Sequence, residues 1–218
     1  MSVWAVLAAA GRGERLGDDR PKAFARLGDL PLVAEPLRRL EESEWIDGII
    51  VAAPAGWEEP CIVLAEELGS GKVSSVVAGG ETRAASVRNA LDEVPDSAAV
   101  VLVHDAARPL VDDDVIGRVL APLSEGFDGA VPVLALTDTV KRVRHDEVVE
   151  TLDRDGLVVS QTPQAFLADV LRRASSGEGT DCASLVEAQG GRIKAVPGDP
   201  RLLKVTSQDD LDLVASWL

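Results

Sequence analysis

The chain has 218 residues and a formal net charge of -15; it is long enough to bury a sizeable core and shows no shift in composition that marks a second domain, so one domain over 1–218 is expected. The acidic balance excludes general attraction to nucleic acid or to an anionic membrane, both of which rest on accumulated Lys and Arg. Hydrophobic residues make up 46% of the chain and Gly and Pro are ordinary in number, which excludes disordered and repeat architectures. The start, "MSVWAVLAAAGRG", lacks a basic n-region, and no apolar run approaches the roughly 20 residues of a membrane helix, which predicts a cytoplasmic protein with no membrane partner. Cys61 and Cys182 stand far apart with no CxxC and no His near them in sequence, so two buried thiols are expected rather than a disulfide or a zinc site.

In chain order, "VWAVLA" (3–8), "GIIVAA" (48–53), "KVSSVVAG" (72–79), "AVVLVHDA" (99–106) and "GAVPVLAL" (129–136) are short runs of strand composition. Between them "PLRRLEES", "WEEPCIVLAEELG", "TRAASVRNALDEV" and "DDDVIGRVLAPL" carry helical spacing. In the third of these, Ala84, Val87 and Leu91 at i, i+3 and i+7 give one face that covers a sheet. Strands apolar on both faces belong to a parallel sheet buried between helices, so a three-layer α/β/α sandwich is expected. The alternation breaks at 137–160, "TDTVKRVRHDEVVETLDRDGLVVS", where polar and apolar residues alternate and "HDE" and "RDG" supply turns; this predicts an extended excursion or hairpin. Beyond it the spacing predicts helices at about 163–174 and 181–189, a strand near 201–206, and a closing helix in "SQDDLDLVASWL", where Ser207 and Asp210 have capping-box spacing.

In open α/β sheets ligands gather beyond the carboxyl ends of the strands, so the turns after strands carry the chemistry. After the first strand, Gly11, Gly13 and Gly17 are spaced GxGxxxG, which is neither GxGxxG nor GxxxxGK[ST], and "VAAPAG" stands where a dinucleotide site carries an acid after its second strand. A nicotinamide or flavin site and a P-loop are both disfavoured. Glycines let backbone N–H groups approach an anion, and Arg15 and Lys22 flank them where they can clamp a polyphosphate. Arg12 and Arg20, taken singly, read as solvated loop residues. After the fourth strand, Asp105 of "HDAARP" is a carboxylate leaving an apolar strand, and it needs a partner: an ion pair with Arg108, or a magnesium ion shared with substrate phosphates. His104 is read as structural, because neither Cys nor a second His is placed to form a metal cluster with it.

The motifs "AAGRGERLG", "PKAF", "GGETRAASV", "VLVHDAARPLV", "TDTVK", "QTPQAF", "TDCASLVE" and "KVTSQDDL" run in that order over nearly the whole chain. Together they resemble the 2-C-methyl-D-erythritol 4-phosphate cytidylyltransferases of the non-mevalonate isoprenoid pathway. AAGxGxR alone occurs across sugar-nucleotide pyrophosphorylases, whereas "HDAARP" with "DTVK" and a final "KVT" is much more specific. The resemblance implies a GT-A-like nucleotidyltransferase fold with a twisted, mixed, mainly parallel sheet, and a homodimer interlocked through a β-arm at about 137–160. The implied reaction joins CTP and 2-C-methyl-D-erythritol 4-phosphate, with Mg2+ or another divalent cation, to give 4-diphosphocytidyl-2-C-methyl-D-erythritol and pyrophosphate.

By the same resemblance, Arg15 and Lys22 hold the triphosphate and stabilise charge in the transition state, and Asp105 holds the metal. Lys204, at the end of the last strand, contacts the reacting phosphates, and Arg154 on the arm positions the acceptor phosphate in the other protomer's site. Read from the residues alone, Lys204 and Arg154 are ordinary surface cations. The resemblance also sets Ala9, Ala10, Gly11, Gly13, Gly80, Glu81 and Ser86 around the nucleotide, and Arg108, Thr139, Thr162 and Thr180 against the acceptor. Each Thr is equally a turn or cap residue, and Thr180 equally caps the helix that follows it. The chain departs from the family pattern at Ala23, where Gln is common, and at Cys182, where a second acid is common; neither change removes a charge from the phosphate clamp. Two other readings stand beside this one. A ribitol 5-phosphate cytidylyltransferase differs only in the acceptor, and a non-catalytic nucleotide-binding regulatory module is opposed by the joint presence of Arg15, Lys22, Asp105, Arg154 and Lys204.

Overall fold

The computed structural model describes residues 1–11, 20–177 and 179–218; Gly13 and Arg15 lie outside the described residues. The strands are β1 (Val3–Ala8), β2 (Arg26–Leu27), β3 (Leu30–Pro31), β4 (Gly48–Ala53), β5 (Val73–Ala78), β6 (Val100–Asp105), β7 (Gly129–Ala135), β8 (Lys141–Arg144), β9 (Glu147–Thr151), β10 (Val158–Ser160), β11 (Gln164–Leu167) and β12 (Ile193–Pro197). The α-helices are α1 (Ala34–Glu42), α2 (Glu58–Glu67), α3 (Arg83–Leu91), α4 (Asp113–Leu120), α5 (Ala168–Ala174), α6 (Cys182–Ala188) and α7 (Gln208–Ala215). The five apolar runs thus all form strands, and the four segments of helical spacing between them form α1 to α4.

The main sheet runs β10-β7-β11-β6-β1-β4-β5, with β12 beside β7. β1 is parallel to both β4 and β6, β4 to β5, and β12 to β7. The antiparallel pairings are β11 with β6 and β7, and β10 with β7, so the sheet is mixed and mainly parallel. Successive strand residues feed opposite layers, as the two-residue strand period requires. Ala5, Leu7, Ile49, Val51 and Leu102 pack with Leu37 and Leu40 of α1, Leu64 of α2 and Ile116 and Val119 of α4. Val6, Ile50, Ala52, Val101 and Val103 pack on the other side with Val87 of α3, Leu171 of α5 and Val186 of α6. Each large side chain so enclosed contributes about 1.5–3 kcal/mol, which is why the strands must be apolar on both faces. A third cluster joins Leu27 and Leu32 to Leu110, Val205, Leu211 and Val214, docking α7 beside the turn that follows β6.

Within 137–160 a hairpin is present over 141–151, where β8 pairs antiparallel with β9, whereas Val158–Ser160 at the end of that span is β10 and joins β7 in the main sheet. The hairpin's two turn residues, His145 (φ 47) and Asp146 (φ 66), both take positive φ, the backbone that suits a two-residue turn to the strand twist. The capping box at Ser207 and Asp210 also forms.

Two expectations fail. Residues 163–174 are not one helix, because Gln164–Leu167 forms β11 between β6 and β7 before α5 begins. Four residues are too few for apolar spacing to separate a buried strand from a helix turn. Among the described residues no strand lies near 201–206; the last strand is β12 at Ile193–Pro197. Leu202 and Val205 are fully buried, but they pack rather than pair, so their apolar character serves the core and not a sheet.

Candidate active site

The site lies where open α/β sheets place it, beyond the carboxyl ends of β1, β5 and β6. A pocket of about 250 Å³ there is lined by Ala8 to Gly11 after β1, by Gly80 to Arg83 and Ser86 after β5, by Asp105 to Ala107 after β6, and by Lys22 and Lys204. Lys22 opens a 3-10 turn, Lys22–Phe24, whose Ala23 is buried. The wall after β5 is set by close packing. A Cβ on Gly79 would collide with Ala10 Cβ, and one on Gly80 with Ala85 Cβ, so only glycine lets this turn press against the loop after β1 and the start of α3. Thr82 then caps α3 by accepting from Ala85 N at 3.1 Å. The buried Ser86 Oγ accepts from Gly80 N at 3.1 Å and donates to Thr82 O at 2.9 Å, which locks the turn from inside.

At the floor, Asp105 ends β6 and is 6% exposed. Its partner is not Arg108. Arg83 Nε donates to Oδ1 at 2.8 Å and Lys204 Nζ donates to Oδ2 at 2.9 Å. Burial alone raises a carboxylate's pKa, but here the facing Arg83 and Lys204 outweigh it and hold Asp105 well below the usual carboxylate range. Burial likewise opposes the charge on Arg83, and Asp105 more than compensates, so Arg83 is held firmly cationic. The second-acid position of the family pattern, Cys182, instead offers Sγ to Arg83 Nη1 at 3.6 Å, and burial pushes that thiol up. Among the described residues no group of three or more metal-ligating side chains converges.

Arg108 is buried behind the pocket, where Nη1 donates to Leu202 O at 2.6 Å and Nη2 to Ser160 O at 3.5 Å. Desolvation by burial lowers its pKa. Thr162 is buried too, with its oxygen accepting from Asp105 N at 3.0 Å. Thr139, Arg154 and Thr180 are exposed and do not line this pocket; Arg154 Nη1 donates to Thr137 O on the arm. Thr180 is not the cap of α6: Asp181 is, in a capping box with Ser184. Lys204 reaches the site from an irregular segment and not from a strand end. Sequence reasoning does not single out Arg83, although "GGETRAASV" carries it. The signal that could find it is a cation in the first turn of a helix that follows a strand, three residues from a Ser turned into the same pocket.

The sequence model of the family described as IspD, 2-C-methyl-D-erythritol 4-phosphate cytidylyltransferase, matches residues 3–218. An enzyme of that name from Frankia casuarinae is 44% identical over 220 residues, covering 99% of this chain and 81% of that one. Another, from Saccharopolyspora erythraea, is 44% identical over 226 residues and is matched over 100% of both chains. The crystal structure of the Thermus thermophilus enzyme of the same name is 32% identical, with a TM-score of 0.80 over 97% of this chain and 96% of that one. A nucleotidyltransferase-type α/β fold, a strand-end pocket that gathers cations about one carboxylate, and a match over almost the full length agree: the chain belongs to the 2-C-methyl-D-erythritol 4-phosphate cytidylyltransferase family.

Proposed function

We propose that the pocket beyond β1, β5 and β6 carries the family's reaction, cytidylyl transfer from CTP to 2-C-methyl-D-erythritol 4-phosphate, for isoprenoid precursor synthesis in the cytoplasm. The observation that carries this reading is the Asp105 carboxylate held between Arg83 and Lys204 in a pocket that Lys22 also lines. An acceptor phosphate oxygen attacks the α-phosphorus of CTP, the bond from that phosphorus to the bridging oxygen breaks, and pyrophosphate leaves. Two anions must meet, so the protein's task is preorganised neutralisation of charge. Lys22 with Arg15 holds the triphosphate, Lys204 meets the reacting phosphates, and the small walls at Ala9, Ala10, Gly11 and Gly80 admit a pyrimidine against backbone donors, beside Glu81 and Ser86. No general base is needed, because a phosphate monoester is already ionised near neutral pH.

Asp105 suits a divalent cation that arrives with substrate phosphates, since Mg2+ is satisfied by one or two carboxylates together with phosphate and water oxygens. Such a cation supplies further neutralisation at the phosphates. The arm favours a second copy of the chain as partner: Val143, Val148 and Val149 are 55%, 62% and 49% exposed on it, and apolar side chains grouped on one projecting hairpin mark an interaction surface. Arg154 then serves the other protomer's acceptor site, with Thr139 and Thr180 at the same acceptor. Purified protein is expected to release pyrophosphate only when CTP, Mg2+ and 2-C-methyl-D-erythritol 4-phosphate are all present, and much more slowly with ribitol 5-phosphate. Equal or faster turnover of ribitol 5-phosphate overturns the acceptor assignment.

A further inference from the structure

His104 stands one residue before Asp105 in β6 and is completely buried, yet both ring nitrogens have polar partners. Nε2 lies 2.8 Å from Arg108 O, and Nδ1 lies 3.2 Å from Thr162 Oγ1. A carbonyl oxygen only accepts, so Nε2 carries the proton and Nδ1 accepts from the Thr162 hydroxyl. That hydroxyl oxygen in turn accepts from the Asp105 backbone N at 3.0 Å. In the neutral ring this uses one donor and one acceptor, and both nitrogens are satisfied inside the protein.

Each end of this chain of hydrogen bonds leads to a charged group of the pocket. Through Thr162 the ring fixes the backbone of Asp105 where β6 ends. Through the Arg108 carbonyl it closes the turn 105–108, in which Arg108 N donates to Asp105 O at 2.9 Å. That turn grips the segment carrying Lys204 on both sides: Arg108 Nη1 donates to Leu202 O at 2.6 Å, and Ala107 O accepts from Val205 N at 2.8 Å. Lys204 lies between these anchors, and its Nζ meets Asp105 Oδ2 at 2.9 Å.

We infer that His104 is a positioning residue of the transfer site, holding Thr162 against Asp105 with one ring nitrogen and the turn that aims Lys204 with the other. The inference rests on the reading of Asp105 and Lys204 as the reacting-phosphate end of the pocket. A role in packing alone is indifferent to which nitrogen is imitated, and two substitutions separate the cases. His104→Gln extends an amide donor toward the Arg108 carbonyl and keeps the grip on the Lys204 segment. His104→Asn keeps an acceptor near Nδ1 but drops the bond to Arg108.

His104→Asn is expected to lower kcat about tenfold with little change in the KM for CTP, because a misaimed group costs rate rather than binding. In a Lys204→Ala background the same substitution should cost less than about twofold, since the group it misaims is gone. His104→Gln should restore most of the rate. Equal losses in both backgrounds, or equal losses for Asn and Gln, overturn the inference. Where either variant fails to fold, 15N NMR of the wild-type imidazole decides: a ring whose Nε2 carries the proton and whose Nδ1 accepts supports the inference, and a ring with its proton on Nδ1 overturns it. Failure of the wild-type protein to release pyrophosphate overturns the reading of the pocket instead, and the ring signature is measured without any substrate.

Discussion

Asp105→Asn is expected to destabilise the protein by about 3 kcal/mol without changing its fold. The magnitude follows from where the charges sit. Asp105 is 6% exposed, and the side chains of its partners Arg83 and Lys204 are 26% and 43% exposed. Exchanging the carboxylate for an amide strands the Arg83 guanidinium where water reaches it poorly, and breaking a buried pair from one side costs about 3–5 kcal/mol. The partial exposure of Arg83 selects the lower end of that range. Lys204 can turn to solvent, so Lys204→Met, which leaves the bond between Asp105 and Arg83 intact, should change stability by less than about 1 kcal/mol. In thermal unfolding of the metal-free protein these figures become a fall of about 9 °C for Asp105→Asn and at most a few degrees for Lys204→Met, while both variants keep only a slow residual transfer. Because the folded-state pKa of Asp105 is depressed, its contribution is present above pH ~4 and is lost as pH falls further, so the Asn variant should show a flatter stability profile in acid. If Asp105→Asn melts with the wild type, or if Lys204→Met costs as much as Asp105→Asn, the ion cluster does not hold the site together in the way its geometry indicates.

Lys22→Ala should keep its circular dichroism and lose about 100-fold in kcat, close to 3 kcal/mol of barrier, because one charged donor leaves the phosphate clamp; near-normal turnover refutes its role. Inactive Arg154→Ala mixed with inactive Lys22→Ala should regain partial activity if sites are shared between protomers, and no recovery despite demonstrated subunit exchange counts against sharing. His104 titrates at about 4 in the folded chain and near 6.5 unfolded, so its contribution is complete above pH ~6.5 and lost as pH falls toward ~4, a total of about 3 kcal/mol. Urea unfolding from pH 7 to 4.5 should therefore show the stability gap between wild type and His104→Asn narrowing; a constant gap rules out a buried neutral ring.

Strands whose apolar character ran over six or more residues were legible in the sequence, β1, β4, β5, β6 and β7, with the helices between them; the arm hairpin, whose strands are shorter, was legible through its turn residues and its alternation, and α7 through its capping box. Those that failed were short. β11 has four residues and β12 five, the latter ending at Pro197, and such runs owe their conformation to the neighbours β6 and β7 more than to their own composition. Leu202 and Val205 misled in the opposite direction, being apolar in order to pack, Leu202 in the main core and Val205 beside α7.

The sequence by itself determined the alternation of strand and helix, the glycine turns at the strand ends, the place of Asp105 at the end of β6, and the family to which the motifs point. Only the tertiary structure decided which charges meet. Arg83 and Lys204 stand 22 and 99 positions from Asp105 in the chain; the strand order brings β5 and β6 to the same end of the sheet, and the turn after β6 draws in the segment that carries Lys204. Asp105 could have been given to Arg108, its near neighbour in sequence. Arg108 instead turns inward, where Nη1 and Nη2 find backbone carbonyls at Leu202 and Ser160 although Nε has no protein acceptor among the described residues, because a buried guanidinium settles where the fold provides acceptors for most of its donors.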